Sequence, residues 1–157
     1  MMIQPSGKSL FLIKCTVIFI FSLHCSSIMQ AQLKQHQWKD RVILVFAPND
    51  TELLFTQQIE ALAKDQAGLL ERDLVIYQVF PTTGISPEEK PLNSEATARL
   101  RKQYQIKAAD FVVILIGKDG GEKLRKTQQL LSKTLLYNTI DVMPMRRSEM
   151  RRKKKGA

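Results

Sequence analysis

A chain of 157 residues with a formal charge of +9 is long enough for one domain of ordinary size. Two of its nine net charges fall in residues 1–31 and six in residues 146–157, so the body between them is nearly neutral. Both cysteines, Cys15 and Cys25, precede residue 32, and His36 is the single histidine after it. That excludes a disulfide, a cysteine nucleophile and a thiolate metal site downstream, and one histidine is a poor start for zinc. No metal and no cofactor are expected.

The N-terminal segment has its own chemistry. Lys8 and Lys14 precede the apolar run 15–23, and small and polar residues follow as far as Ala31. That is the order of regions in a secretory signal peptide, with cleavage expected after Ala31. The other reading is an uncleaved anchor, but the apolar stretch falls short of the roughly 20 residues that a spanning helix needs. A lipoprotein is disfavoured because the bulky His24 stands directly before Cys25. Cleavage would place the protein outside the cytoplasm, in a periplasm or secreted, without either thiol. The expected organisation is a signal peptide over 1–31, a domain over 32–145 and a basic tail over 146–157.

Residues 32–40 are polar and lead into Arg41-Val-Ile-Leu-Val-Phe-Ala47, a continuous apolar run of the kind buried on both faces of a sheet. Trp38 is expected to pack over its start, and Pro48 ends it. Asn49 stands three residues before Glu52, which is capping-box spacing with Asn as the cap. Phe55, Ile59 and Leu62 recur at helical spacing and predict a helix over 51–66, with Gly68 near its end. Asp73-Leu-Val-Ile-Tyr-Gln-Val-Phe80 predicts a second strand, and 81–91 a loop with three prolines.

Ser94 opens a short helix on which Ala96, Leu100 and Tyr104 share a face. Phe111-Val-Val-Ile-Leu-Ile116 predicts a third buried strand. Gly117-Lys-Asp-Gly-Gly121 predicts a hairpin turn, and Glu122-Lys-Leu-Arg125 begins the partner strand. A last helix over 128–141 places Leu131 or Leu136 with Ile140 on its inner side. Pro144 is read as its breaker, with the basic tail behind: Arg146 to Met150 as a structured helical extension and Arg151 to Lys155 as a simple charge run. The strand–helix–strand opening makes the first two strands parallel, and the second half ends in an antiparallel hairpin. The expected fold is α/β: a thioredoxin-like mixed central sheet with helices on both faces.

The segments Val45-Phe-Ala-Pro-Asn49, Gln57-Gln58, Glu71-Arg-Asp-Leu74, Ile116-Gly-Lys-Asp-Gly120 and Ile140-Asp-Val-Met143, with Arg146-Arg-Ser-Glu-Met150, resemble domain of unknown function family 4174. The resemblance runs from about Trp38 to Arg152. It implies a thioredoxin-like or peroxiredoxin-like fold and an extracytoplasmic setting, since similar domains occur in secreted matrix proteins. It brings no established reaction.

A redox-active thioredoxin fold keeps its nucleophilic thiol after the first strand, where the helix N-terminus stabilises a thiolate. The matching stretch is Ala47-Pro-Asn-Asp-Thr-Glu52, with no cysteine, and the proline usual before the third strand is replaced by Ala108, Ala109 and Asp110. Thiol–disulfide exchange is therefore not expected of the cleaved chain. Asn49, Asp50, Thr51 and Glu52 form an alternative polar site, with Lys118 or Arg125 nearby, for an enzyme of peroxiredoxin-like descent. Capping of the helix accounts for the same four residues. The glycine turn at 117–121 lacks phosphate-loop spacing, and Glu71-Arg72-Asp73 reads as a solvated turn or local ion pair.

The C-terminal charge remains. Arg146, Arg147, Arg151, Arg152, Lys153, Lys154 and Lys155 would attract polyanions by counterion release. The main expectation is a non-catalytic exported binding or scaffold domain. Its partners would be acidic polysaccharide, an anionic membrane surface or another exported protein, with no specific nucleic-acid partner. A disordered, solubilising end is the other account of the tail.

Overall fold

An apolar run six residues long with a basic first residue is stable only where both faces are covered, and the run at 41–46 occupies the middle of a sheet. In the computed structural model, which describes residues 33–156, β1 (Arg41–Phe46) is buried along its whole length. The segment read as a signal peptide and both cysteines lie outside the described residues. After β1 come α1 (Leu53–Ala63), α2 (Gln66–Glu71), β2 (Leu74–Val79), β3 (Gly84–Ile85), β4 (Pro91–Leu92) and α3 (Ser94–Tyr104). The chain continues through β5 (Val112–Ile116), β6 (Glu122–Thr127), α4 (Lys133–Asp141) and α5 (Pro144–Gly156).

The six strands lie in the order β4-β3-β2-β1-β5-β6. β1 and β2 are parallel, from Arg41 opposite Leu74 to Phe46 opposite Val79. β5 runs antiparallel to β1 and pairs Val42 with Ile116 and Phe46 with Val112, and β6 is antiparallel to β5. The mixed sheet is the one expected. Because side chains alternate across a strand, Ile43, Val45, Val113 and Leu115 share one face. Phe55 and Leu62 of α1, Leu69 of α2, and Leu136 and Ile140 of α4 close over them, with Leu131 beside. Val42, Leu44, Phe46 and Tyr77 take the other face, where the ring of Tyr104 from α3 lies 6.1 Å from that of Phe46. Helices therefore cover both faces, as the α/β reading requires.

Several expectations change in detail. The first helix starts at Leu53, two residues late, and stops at Ala63; Gly68 falls inside the separate α2 rather than at a helix end. Ser94 opens α3 as expected, with Asn93 as its cap, accepting from the Ala96 N–H. The region read as a loop contributes β3 and β4 to the sheet edge, and two-residue strands leave no periodicity to read. α4 begins at Lys133 behind the cap Ser132, whose Oγ accepts from Leu135 N; Gln128, with φ of 53°, still belongs to the end of the hairpin. Pro144 does not end the folded chain. It opens α5 at the first helical position, where its missing N–H costs nothing. The boundary drawn at 145/146 thus falls within α5.

Two residues at the N-terminal edge also differ from expectation. Trp38 is 64 % exposed with φ of 67°, so it does not cover β1; only its backbone N–H is engaged, on the Lys118 carbonyl. His36 is buried in its place. Its Nε2 lies 2.9 Å from the Tyr77 hydroxyl and its Nδ1 2.7 Å from an Asp40 carboxylate oxygen. Burial pushes the Tyr77 hydroxyl above its ordinary pKa. A second buried polar group, Gln58, donates to the Leu131 carbonyl at 3.2 Å and accepts from the Leu131 N–H at 2.7 Å. It thereby joins α1 to the segment before α4 as a backbone strand would.

Candidate functional site

The two ends of β1 carry the two candidate sites. At its C-terminal end lies the stretch where a redox thioredoxin fold would hold a thiol. Asn49 Oδ1 accepts from both the backbone N–H and the hydroxyl of Thr51, a local turn rather than a capping box. The cap of α1 is Glu52, whose carboxylate accepts from Leu54 N. Asp50 and Thr51 are exposed. Lys118 and Arg125 are not neighbours of this site. The antiparallel register of β5 puts Lys118 beside the start of β1, and Arg125 sits opposite Ile114 with its guanidinium on Glu122 and the Tyr104 carbonyl. A local turn thus accounts for Asn49 and capping for Glu52, and the described residues do not assemble a convergent set there.

What does converge at that end is a residue the sequence did not single out. Arg101 of α3 is only 6 % exposed. Its guanidinium donates to the carbonyls of Ala47 and of Val79, and at 2.6 Å to that of Lys107. It also lies over the Phe46 ring, 5.8 Å from the centroid. Burial pulls its pKa down, against the pull of Asp110. Arg101 ties the ends of β1 and β2 to α3 through neutral acceptors.

The N-terminal end of β1 is built differently. Arg41 is 1 % exposed; it donates to the Arg72 carbonyl at 2.8 Å and, with both terminal nitrogens, to the Glu149 carboxylate at 3.2 Å. Lys118, from the hairpin turn, reaches Asp73 at 2.7 Å and the same Glu149 at 2.9 Å. Arg146 is also 1 % exposed. It donates to the Glu71 carboxylate and carbonyl and, at 3.2 Å, to Asp141. Arg72 grips Asp141 from the other side at 2.7 Å and lies 4.0 Å over the Tyr137 ring. Arg41, Arg72, Lys118 and Arg146 therefore interlock with Glu71, Asp73, Asp141 and Glu149. Burial works against the charged forms of Glu149 and Asp141, yet their basic partners hold both carboxyls below the usual range. Burial likewise opposes the charge on Arg146, and Glu71 with Asp141 raises its pKa above the ordinary value.

This network corrects two readings. Glu71-Arg72-Asp73 keeps the expected local pair, Arg72 to Glu71 at 3.4 Å, but also bonds to α4, α5 and the hairpin. Arg146 does not belong to an exposed basic set, because its guanidinium is buried. Its neighbours behave otherwise: Arg147, Arg151, Arg152, Lys153, Lys154 and Lys155 are all exposed on α5. At 3.6 residues per turn, Arg147, Arg151, Lys154 and Lys155 fall on one face of that helix. One signal was legible: Arg146 and Glu149 stand at i, i+3, a helical spacing, before the charge run.

A mixed sheet of this order, flanked on both faces, is the thioredoxin-like class of α/β domain. Solved structures agree. The reduced 2-Cys peroxiredoxin of Plasmodium vivax superposes with a TM-score of 0.58 at 20 % identity, over 74 % of this chain and 72 % of that one. Mycobacterium tuberculosis AhpC gives 0.51 at 16 % identity, over 68 % and 70 %. Those likenesses concern the fold alone. The family model described as a domain of unknown function, DUF4174, matches residues 32–149, and the chain belongs to that family. Coiled-coil domain-containing protein 80 of Danio rerio is 30 % identical over 133 residues, covering 75 % of this chain and 15 % of that protein. The sushi repeat-containing protein SRPX of Rattus norvegicus is 31 % identical over 123 residues, covering 76 % and 26 %. The chain spans about a quarter or less of these relatives. Glu71, Asp73, Lys118, Asp141, Arg146 and Glu149 all come from the segments that carried the family resemblance, and the fold gathers them into one network.

Proposed function

We propose that this chain is an exported, non-catalytic thioredoxin-like binding domain that holds acidic polysaccharide through the exposed basic face of α5. One observation carries the reading. The basic residues do not trail from the domain; they continue a helix whose first turns are anchored by buried Arg146 and by Glu149, 12 % exposed at its side chain. A docked helix presents its charges as a pre-ordered row, so less conformational entropy is lost on meeting an extended polyanion. Export rests on the signal-like segment 1–31. An anionic membrane surface and another exported protein remain the competing partners.

The test is salt-dependent retention of the exported protein on immobilised heparin, against a variant with residues 151–155 changed to Gln. The wild type is expected to need markedly more salt for elution, and equal elution of the two would sink the proposal. A chain ending at Met150 is a better truncation than one ending at Pro144, because the shorter chain would also remove Arg146 and Glu149 from the network. Anionic and neutral phospholipid vesicles, compared with heparin at equal salt, separate membrane from polysaccharide.

A further inference from the structure

The packing of the domain gives no reason for a tryptophan at position 38. The residue has φ of 67°, a left-handed backbone that Gly or Asn adopts at less cost than a bulky side chain. Its side chain is open to solvent, and among the described residues the indole makes no hydrogen bond and no ring contact. Only the main chain is held: Trp38 N donates to the Lys118 carbonyl, and the side chain of Gln37 donates to the Asp119 carbonyl at 3.1 Å. The hairpin turn thus fixes the position of an indole whose apolar area stays uncovered.

Lys118 also joins this residue to the C-terminal helix. Its carbonyl accepts from Trp38, and its ammonium meets Glu149 at 2.9 Å. The side of α5 that carries Glu149 to Lys118 continues three and four residues on with Arg152 and Lys153, both exposed. Lys39, next to Trp38, is exposed as well, and among the described residues its ammonium has no ion-pair partner. An open aromatic plate and open cations therefore share the end of the domain at which β1 begins.

The chemistry of an indole narrows the kind of polyanion that suits such a surface. Its face is apolar and carries the negative charge density of the ring, so it attracts polarised C–H groups and repels anionic oxygen. The C–H face of a pyranose ring meets that requirement, and a chain of bare phosphates does not. Entry into a membrane would need more apolar surface, and the outer run of α5, Arg151-Arg-Lys-Lys-Lys155, has no apolar side chain. We propose that Trp38 is a sugar-stacking platform: one pyranose ring of an acidic polysaccharide lies on the indole while its sulfate or carboxylate groups reach Lys39, Arg152 and Lys153. This rests on the polysaccharide reading of α5 and deepens it, because it adds a contact specific to sugar to one made by charge.

Trp38 is the single tryptophan of the chain, so its fluorescence reports this site alone. Heparin and inorganic polyphosphate are titrated into the exported protein, and acrylamide quenching of the indole is followed. Heparin is expected to lower the quenching constant about twofold, whereas polyphosphate binds and leaves the indole open. Trp38→Ala, at an exposed position, is expected to stay folded and to weaken heparin about fivefold with an unchanged salt slope, since stacking persists where salt screens charge. Its polyphosphate affinity should equal that of the wild type, and Trp38→Phe should recover part of the heparin loss. Heparin binding without shielding, equal shielding by both polymers, or a folded Trp38→Ala that binds heparin like the wild type overturns the inference and leaves the charge contact of α5 standing. Shielding by anionic phospholipid vesicles and not by heparin overturns it in favour of a membrane. A wild type that binds neither polymer overturns the basic-face reading, and this inference with it.

Discussion

Two arginines are buried at opposite ends of β1, and they are held by different means. Arg41 meets a carboxylate, Glu149, which lies 108 residues further along the chain. Arg101 meets main-chain carbonyls of Ala47, Val79 and Lys107. The ionic end brings the C-terminal helix onto the domain. The neutral end ties the last residues of β1 and β2 to α3. A buried cation can thus serve as a docking point for a distant segment or as a plug for strand ends, and the nature of its acceptors separates the two uses.

The largest effect that would break this contrast is loss of Glu149. Glu149→Ala leaves Arg41 buried without its carboxylate and is expected to cost about 3 kcal/mol, read by urea denaturation at neutral pH. The double variant Glu149→Ala with Arg41→Met should recover part of that loss, since it removes the stranded charge. Arg101→Met is expected to cost somewhat less, about 2 kcal/mol, because Val79 O keeps its bond from Ala47 N and Lys107 O its bond from Asp110 N, while Ala47 O loses its donor. If Arg101→Met proved harmless, the plug role would be wrong.

Acid sharpens the comparison. Glu149 and Asp141 have depressed pKa values in the folded protein. Their contribution is complete above the ordinary carboxylate range and disappears as pH falls through the lower folded values. Acid denaturation midpoints should therefore show wild type and Glu149→Ala converging as pH drops, while the penalty of Arg101→Met stays constant. Parallel curves for all three would argue against the ionic assignment.

The smallest effects concern exposed groups. Asn49→Ala removes a local turn and is expected to cost about 0.5–1 kcal/mol in thermal unfolding, with no larger role at the first helix. Neutralising residues 151–155 should change stability by about 0.5 kcal/mol or less while abolishing heparin retention. A large loss of stability in that variant would mean that the outer turns of α5 are also docked.

Much of the architecture was legible because it depends on local pattern. Continuous apolar runs at 41–47 and 111–116 mark the central strands, a glycine-rich turn marks the hairpin, and both are where they were expected. Pro144 was read correctly as the end of the helix that stops at Asp141, and it opens the next helix because proline breaks a helix interior but suits a first turn. β3 and β4 were missed because two residues define no alternation. The candidate site was read least well. A charged residue ordinarily faces water, so Arg146 was read with the exposed basic set and Arg101 drew no notice, until partners from remote segments enclosed them.

By itself, then, the sequence determined the central strands, the α/β class, the absence of thiols after residue 31 and the concentration of positive charge at the C-terminus. Those follow from composition and short-range periodicity. Only the tertiary structure decided which charges are buried and what anchors the helix on which the C-terminal charge begins. Ion pairing and burial depend on distances between segments far apart in the chain, and folding alone brings those segments within reach.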